Sequence, residues 1–238
     1  MRAIAPQPSL VDRVVEAIVG DIVAGELPAN SRLIQEDLAR IYGVSRQPVQ
    51  QALLLLRNQG LVREAGGRGL VVSPVDPAFV NNLYEVRAVL DGLAARRAAQ
   101  NGAARAKREG PALVAAGRAA VKSRSLPDQI SADIAFHALI DELACNPLIG
   151  ETTAPHWPYV RRVMGEVLRG DEQMPKRIWD EHAAILDAVI KGDGDRAEAL
   201  AKQHISGAAA FMVERLEARQ EVARQDRNRR RITSAADL

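Results

Sequence analysis

Gly43-Val44-Ser45-Arg46-Gln47-Pro48-Val49-Gln50-Gln51-Ala52-Leu53 is a glycine turn that runs straight into an amphipathic helix. Gly43 ends a helix predicted over Gln35–Tyr42, and Ser45 stands where the cap of the next one belongs. That next helix is predicted from Arg46 to about Asn58, with Gly60 closing it. Pro48 is tolerated because it lies in the first turn, where the backbone N–H has no intrahelical partner. Two helices joined by so short a turn form a helix-turn-helix.

Working outward, Leu10–Ala24 places Leu10, Val14, Val15, Ile18, Ile22 and Val23 at helical spacing, with Ser9 as its cap and Gly25 as its stop. On the other side the period changes. Leu61–Glu64 and Leu70–Ser73 read as short strands around the glycine-rich turn Ala65-Gly66-Gly67-Arg68-Gly69. Helix, helix-turn-helix and hairpin together are the order of a winged helix-turn-helix, predicted over residues 9–73.

Such a unit places the first residues of its second helix against base edges in the major groove. Here these are Ser45, Arg46, Gln47, Val49 and Gln50. An arginine pairs in bidentate fashion with guanine and a glutamine with adenine, while Ser45 can bond a phosphate. Arg40 of the preceding helix joins this DNA-facing set. Arg68, held in a glycine turn with Gly69 beside it, suits a wing tip lying along the DNA backbone or in the minor groove. Charge totals do not decide the matter. The first 73 residues hold eight arginines against seven acids, so the case rests on where the charges stand.

After a linker predicted over 74–78, everything reads as helix: near 79–101, 103–122, 128–145, 148–169, 174–191 and 194–222. Pro155 and Pro158 should interrupt the fourth of these. The expected fold class is therefore mainly α, a winged helix-turn-helix followed by an all-α antiparallel helical bundle over 79–222. Aromatics make up only 3% of the chain, so the cores must be aliphatic. Residues 223–238, with Arg227, Arg229, Arg230 and Arg231, have little to bury and read as a disordered tail.

Cys145 is the single cysteine and cannot form an internal disulfide, so a reducing cytoplasm is the expected compartment. The N-terminus lacks the apolar run of a signal peptide, and no segment approaches the roughly 20 apolar residues of a membrane span. No membrane partner is expected.

The run Ile22-Val23-Ala24-Gly25-Glu26-Leu27-Pro28, with Leu33, Glu36-Asp37-Leu38-Ala39, Gly43-Val44-Ser45-Arg46-Gln47-Pro48-Val49, Ala52-Leu53, Leu56, Gly60-Leu61-Val62 and Gly67-Arg68-Gly69, resembles the GntR family signature. The resemblance covers about residues 10–73 and implies binding to double-stranded operator DNA as a homodimer. One departure stands out: the family usually has Arg-Glu after Pro-Val, and this chain has Gln50-Gln51.

The second half carries His137, His182 and His204, each in a different predicted helix, and Asp133 one helical turn before His137. One carboxylate and three imidazoles would suit zinc, nickel or another divalent transition metal. Equally, single helical histidines are commonly surface groups or satisfied core groups. Glu85-Val86-Arg87 with Asp91, Asp133-x-x-x-His137 with Asn146-Pro147, Glu181-His182 with Ile185 and Ala188, Gly192-Asp193, Ala197 and His204 resemble the FadR-type effector domain called FCD, over about 79–213. That resemblance implies a metal on Asp133, His137, His182 and His204. It also implies a small carboxylate effector held between metal and Arg87, whose guanidinium would otherwise serve an internal salt bridge. His156 matches no ligand position and reads as surface or rim. Asp141, on the face of Asp133 and His137, would either orient a ligating imidazole or be solvated.

The reading is a ligand-responsive transcription regulator, a repressor, rather than an enzyme. A metal-dependent hydrolase would need a general base within reach, and the chain has neither a His-Glu-x-x-His motif nor a nucleophile elbow. A third reading is a DNA-binding protein whose metal is purely structural.

Overall fold

The computed structural model describes residues 8–67, 69–169, 171 and 173–236, with the backbone alone beyond residue 225. Ten α-helices and one hairpin follow in the order α1 (Leu10–Ala24), α2 (Gln35–Tyr42), α3 (Arg46–Asn58), β1 (Val62–Glu64), β2 (Leu70–Val72), α4 (Pro77–Asn101), α5 (Ala103–Ser123), α6 (Leu126–Leu143), α7 (Pro147–Thr153), α8 (Trp157–Val167), α9 (Met174–Ile190) and α10 (Gly194–Ala236). The chain divides into two compact units. One holds the chain to Val75 together with Pro155–Glu166, and the other holds Asp76–Ala154 and the chain from Val167 onward. Among the described residues, no helix is long and apolar enough to cross a membrane.

In the first unit the expected caps of α1 operate. Ser9 and Asp12 form a reciprocal capping box at the start of α1, and Gly25 ends it in the left-handed conformation. Gly43, at φ 65°, makes the turn between α2 and α3, a conformation that would strain any residue with a Cβ. Val15, Ile18, Leu38, Val49, Leu53 and Leu56 form an aliphatic core beneath the motif. Tyr42 Oη donates to Asp21 at 2.6 Å and so ties α2 to α1. β1 and β2 pair antiparallel with Val62 opposite Val72, and Arg32 adds a bridge to Val71 at the hairpin's edge.

The stretch predicted as one helix over 148–169 is three elements. α7 ends at Thr153, a single 3-10 turn spans Ala154–His156, and α8 begins at Trp157 with Pro158 in its first turn. Residues 155–166 group with the winged unit rather than with the bundle, a correction to the expected 79–222 domain. The physical reason is local packing: Arg161 pairs with Glu16 of α1, and Gly165 leaves so little room that a Cβ there would lie 2.8 Å from Val23.

The second unit packs α4, α5, α6, α9 and α10 around Ala94, Ala98, Phe136, Leu139, Leu143, Trp179, Ile185 and Val189. The linker is shorter than expected, because Asp76 caps a helix that starts at Pro77. The tail is a second correction. α10 continues to Ala236 instead of losing order at 223. Residues 223–236 contain neither Gly nor Pro and are rich in Arg and Ala, both good helix formers, so backbone propensity carries the helix onward.

Candidate nucleic-acid interface and metal centre

α3 divides its residues cleanly. Val49, Ala52, Leu53 and Leu56 are buried, while Arg46, Gln47 and Gln50 are exposed. Val49, read from sequence as one of the base-facing residues, belongs to the core instead. Ser45 occupies the cap position of α3 without using its hydroxyl as a cap, which leaves that oxygen for other donors. Arg46 Nη2 lies 2.9 Å from Glu36 of α2, and Arg40 Nη2 lies 2.7 Å from Asp37. Both pairs are solvent-exposed and weak, and a phosphate or a guanine edge can displace them. Gly69, at φ 75°, accepts from the Ala65 amide across the wing turn. Arg68 lies outside the described residues. Two cations that sequence reasoning passed over stand beside the wing: Arg32 and Arg63 line a shallow cavity of about 320 Å³ with Asn30, to which Arg63 donates at 2.7 Å. The strand-edge bridge of Arg32 was the missing signal, and it depends on pairing across the hairpin.

In the bundle, α6 carries Asp133 and His137 on one face, α9 brings His182 and α10 brings His204; all four are buried. The three imidazoles each offer a nitrogen within 4.8 Å of the others. His182 Nε2 and His204 Nε2 are 3.1 Å apart, Asp133 Oδ1 is 3.6 Å from His182 Nε2, and Asp133 Oδ2 is 4.0 Å from His137 Nε2. Ligands 2.0–2.1 Å from a tetrahedral zinc ion stand about 3.4 Å apart, so these four donors already sit near the required spacing.

Glu181, which sequence reasoning did not assign to the site, accepts from His204 Nδ1 at 2.7 Å. A carboxylate acceptor at Nδ1 orients the His204 ring so that Nε2 faces the cluster. The Glu181-His182 pair in the sequence was the available clue. Its meaning depends on α10 lying beside α9. Asp141 accepts from Thr153 at 3.3 Å, an engagement the sequence did not suggest.

Electrostatics agree with a vacancy for positive charge. Burial, helped by the fields of Arg87 and His204, holds His137 well below the ordinary histidine range; burial with His204, His137 and Arg87 does the same for His182. Burial raises the Asp133 carboxyl to about 6, against the opposing pull of His204 and Arg87. Neutral imidazoles are ready ligands, and a dication would stabilise a carboxylate that burial alone disfavours. The donor set therefore fits a divalent metal.

Arg87 is buried on α4 and donates to Asp91 at 3.2 Å, one turn along the same helix. The void beside His137, His204 and Asp91 measures about 10 Å³, room for one water-sized group. His156 is exposed in the 3-10 turn and is not one of the clustered histidines.

The sequence matches the profile of bacterial regulatory proteins of the gntR family over residues 10–72 and that of the FCD domain over residues 82–207. The HTH-type transcriptional regulator BphR of Paraburkholderia xenovorans is 30% identical over 221 residues, covering 88% of this chain and 87% of that protein. The HTH-type transcriptional repressor RspR of Escherichia coli K12 is 28% identical over 186 residues, 78% of this chain and 81% of that protein. Among solved structures, E. coli McbR/YncC superposes with a TM-score of 0.75 at 19% identity, over 87% of this chain and 99% of that one, which shows a shared fold. These relatives are regulators of transcription and not enzymes. With a winged helix-turn-helix that keeps its polar face outward, joined to an FCD bundle, the chain belongs to the GntR family of transcription regulators.

Proposed function

We propose that the protein is a ligand-responsive repressor that binds operator DNA as a homodimer in the cytoplasm, and that its bundle holds one divalent transition metal, zinc or nickel, on Asp133, His137, His182 and His204. The observation that carries the metal reading is the convergence of three buried imidazoles and a buried carboxylate, one histidine of which is oriented by Glu181. Bound there, the metal supplies a fixed positive anchor for an anion. DNA contact falls to Arg40, Ser45, Arg46, Gln47 and Gln50 of α2 and α3, with Arg68, Gly69, Arg32 and Arg63 at the wing. Repression is the action named for the relative RspR.

A small carboxylate is the effector in this reading, shared between the metal and Arg87. For it to bind, Arg87 must release Asp91, and side chains around the 10 Å³ void must move aside. Effector binding is thereby coupled to repacking of α4 against α6 and α10, which is what a response requires. The small void equally favours a metal that only braces the bundle. Two measurements separate these readings. Protein purified without chelator or affinity-tag metal should contain about one zinc or nickel per chain, and chelation should lower the melting temperature by several degrees. An apo protein whose melting temperature does not respond to added zinc or nickel would remove the metal from both readings. If the metal is present but acetate, lactate and citrate leave operator affinity unchanged, it is structural.

Dimerisation is supported by an outward apolar stripe on α4, where Val86, Val89 and Leu93 repeat at spacings of three and four and are 56%, 62% and 39% exposed. Such a seam is self-complementary across a two-fold axis. Sedimentation equilibrium giving the mass of one chain at micromolar concentration would exclude it.

A further inference from the structure

A second, larger cavity of the bundle lies elsewhere. It measures about 810 Å³ and opens between the end of α5, the start of α6, Leu168, Arg169, Asp171 and the start of α9. Cavities of this size accommodate whole metabolites. Five cations line it: Arg118, Lys122, Arg124, Arg169 and Lys176. The two acids among its described lining residues are already engaged. Asp180 accepts from Arg118 at 2.9 Å, while Asp171 accepts from the amides of Gln173 and Met174 and from Arg215 at 2.7 Å. Lys122 and Lys176 are exposed, and no described carboxylate pairs with either.

Part of the cavity wall is apolar. Trp179, 2% exposed, presents its indole beside Leu126, Leu168 and Pro175. Its position is built in by Gly117, where a Cβ would fall 1.9 Å from Trp179 Cζ2; the ring lies directly on the α5 backbone. The indole also meets Phe136 and His182 at near-perpendicular ring angles, with centroids 6.3 and 4.8 Å away. The cavity thus stands one aromatic ring away from the histidine cluster and does not include it.

We propose that this cavity is a separate binding site for an organic polyanion, a molecule with a phosphate group or several carboxylates on a planar or apolar body. The charge would lie between Lys122 and Lys176, and the body against Leu126, Leu168 and Pro175 beside Trp179. A basic surface that serves only to steer the protein toward DNA requires neither a concavity nor an indole wall. A monocarboxylate would leave one of the two unpaired lysines, Lys122 and Lys176, uncompensated.

The site is independent of the metal reading, so the test uses full-length protein both as purified and after metal removal. 1-Naphthyl phosphate is titrated calorimetrically at constant ionic strength, with 1-naphthol and inorganic phosphate as partial probes. The expected result is saturable binding at one site per chain in both forms. Each partial probe should bind at least about tenfold more weakly. Lys122→Glu/Lys176→Glu should weaken binding by at least about tenfold while leaving zinc content unchanged, and Lys122→Gln/Lys176→Gln should do so by a smaller factor. Absence of saturable binding would overturn the proposal. So would 1-naphthol binding as well as its phosphate, inorganic phosphate binding as well as the ester, or indifference to both lysine double variants.

Discussion

The two units put their polar side chains to opposite uses. In the winged unit, Arg46, Gln47 and Gln50 stand in solvent on the same helix whose Val49, Ala52, Leu53 and Leu56 build the core. In the bundle, Asp133, His137, His182, His204, Arg87 and Asp91 are all less than a tenth exposed. The surface set stays solvated and mobile until DNA arrives, and its ion pairs cost little to break. The interior set is held by tertiary packing. Each member has lost its water and depends on its neighbours or on a bound ion for compensation. A change to the first set should therefore alter what is bound without altering the fold, and a change to the second should do both.

The largest effect is expected from His182→Ala. His182 stacks on Phe136 at 4.2 Å and meets Trp179 edge-on. Its removal takes away a metal ligand and leaves a hole in the core. The variant should lose about 2–4 kcal/mol of stability, and its melting temperature should no longer rise with zinc. Operator affinity should be largely kept, because the winged unit has its own core. Unchanged zinc stabilisation, read by thermal melting, would count against His182 as a ligand.

Arg46→Ala should leave the melting temperature where it is and cost about 1–3 kcal/mol in operator binding, with relaxed specificity at one symmetric position. Wild-type affinity in a gel-shift titration would mean that Arg46 remains on Glu36 in the complex and reads no base. Gln50→Arg sharpens the same point: selection from randomised sites should move toward guanine at one position of each half-site.

The smallest effect concerns pH. Burial, aided by the field of Asp91, raises the Asp141 carboxyl to about 7, against the Thr153 hydrogen bond and Arg87. In the unfolded chain the same group titrates near about 3.9. Between these values the folded protein binds more protons than the unfolded one, so this group's contribution to stability falls as pH rises from about 4 to 7. Asp141→Asn removes the contribution. Metal-free variant should lose less stability across that window than metal-free wild type, by a difference on the order of 1 kcal/mol. Parallel stability–pH curves from urea melts would show that Asp141 is ionised in the folded state throughout.

The sequence by itself determined the winged unit almost completely. Its information is local: Gly43 at a left-handed turn, Ser9 at a cap, aliphatic residues at helical spacing and glycines in the wing each act within a few residues. The sequence also supplied the four ligand candidates, since Asp133 and His137 share a face by helix geometry alone. Tertiary structure decided the rest. That His182 and His204 meet at 3.1 Å and that Glu181 turns His204 follow from α9 and α10 lying side by side. The division at Pro155–Glu166 and the cationic cavity over Trp179 arise in the same way, from residues that are distant in the chain and adjacent only in the fold. Helical periodicity tells which face of a helix is buried, but not which neighbour will cover it, because packing is set by contacts between segments that no local pattern encodes.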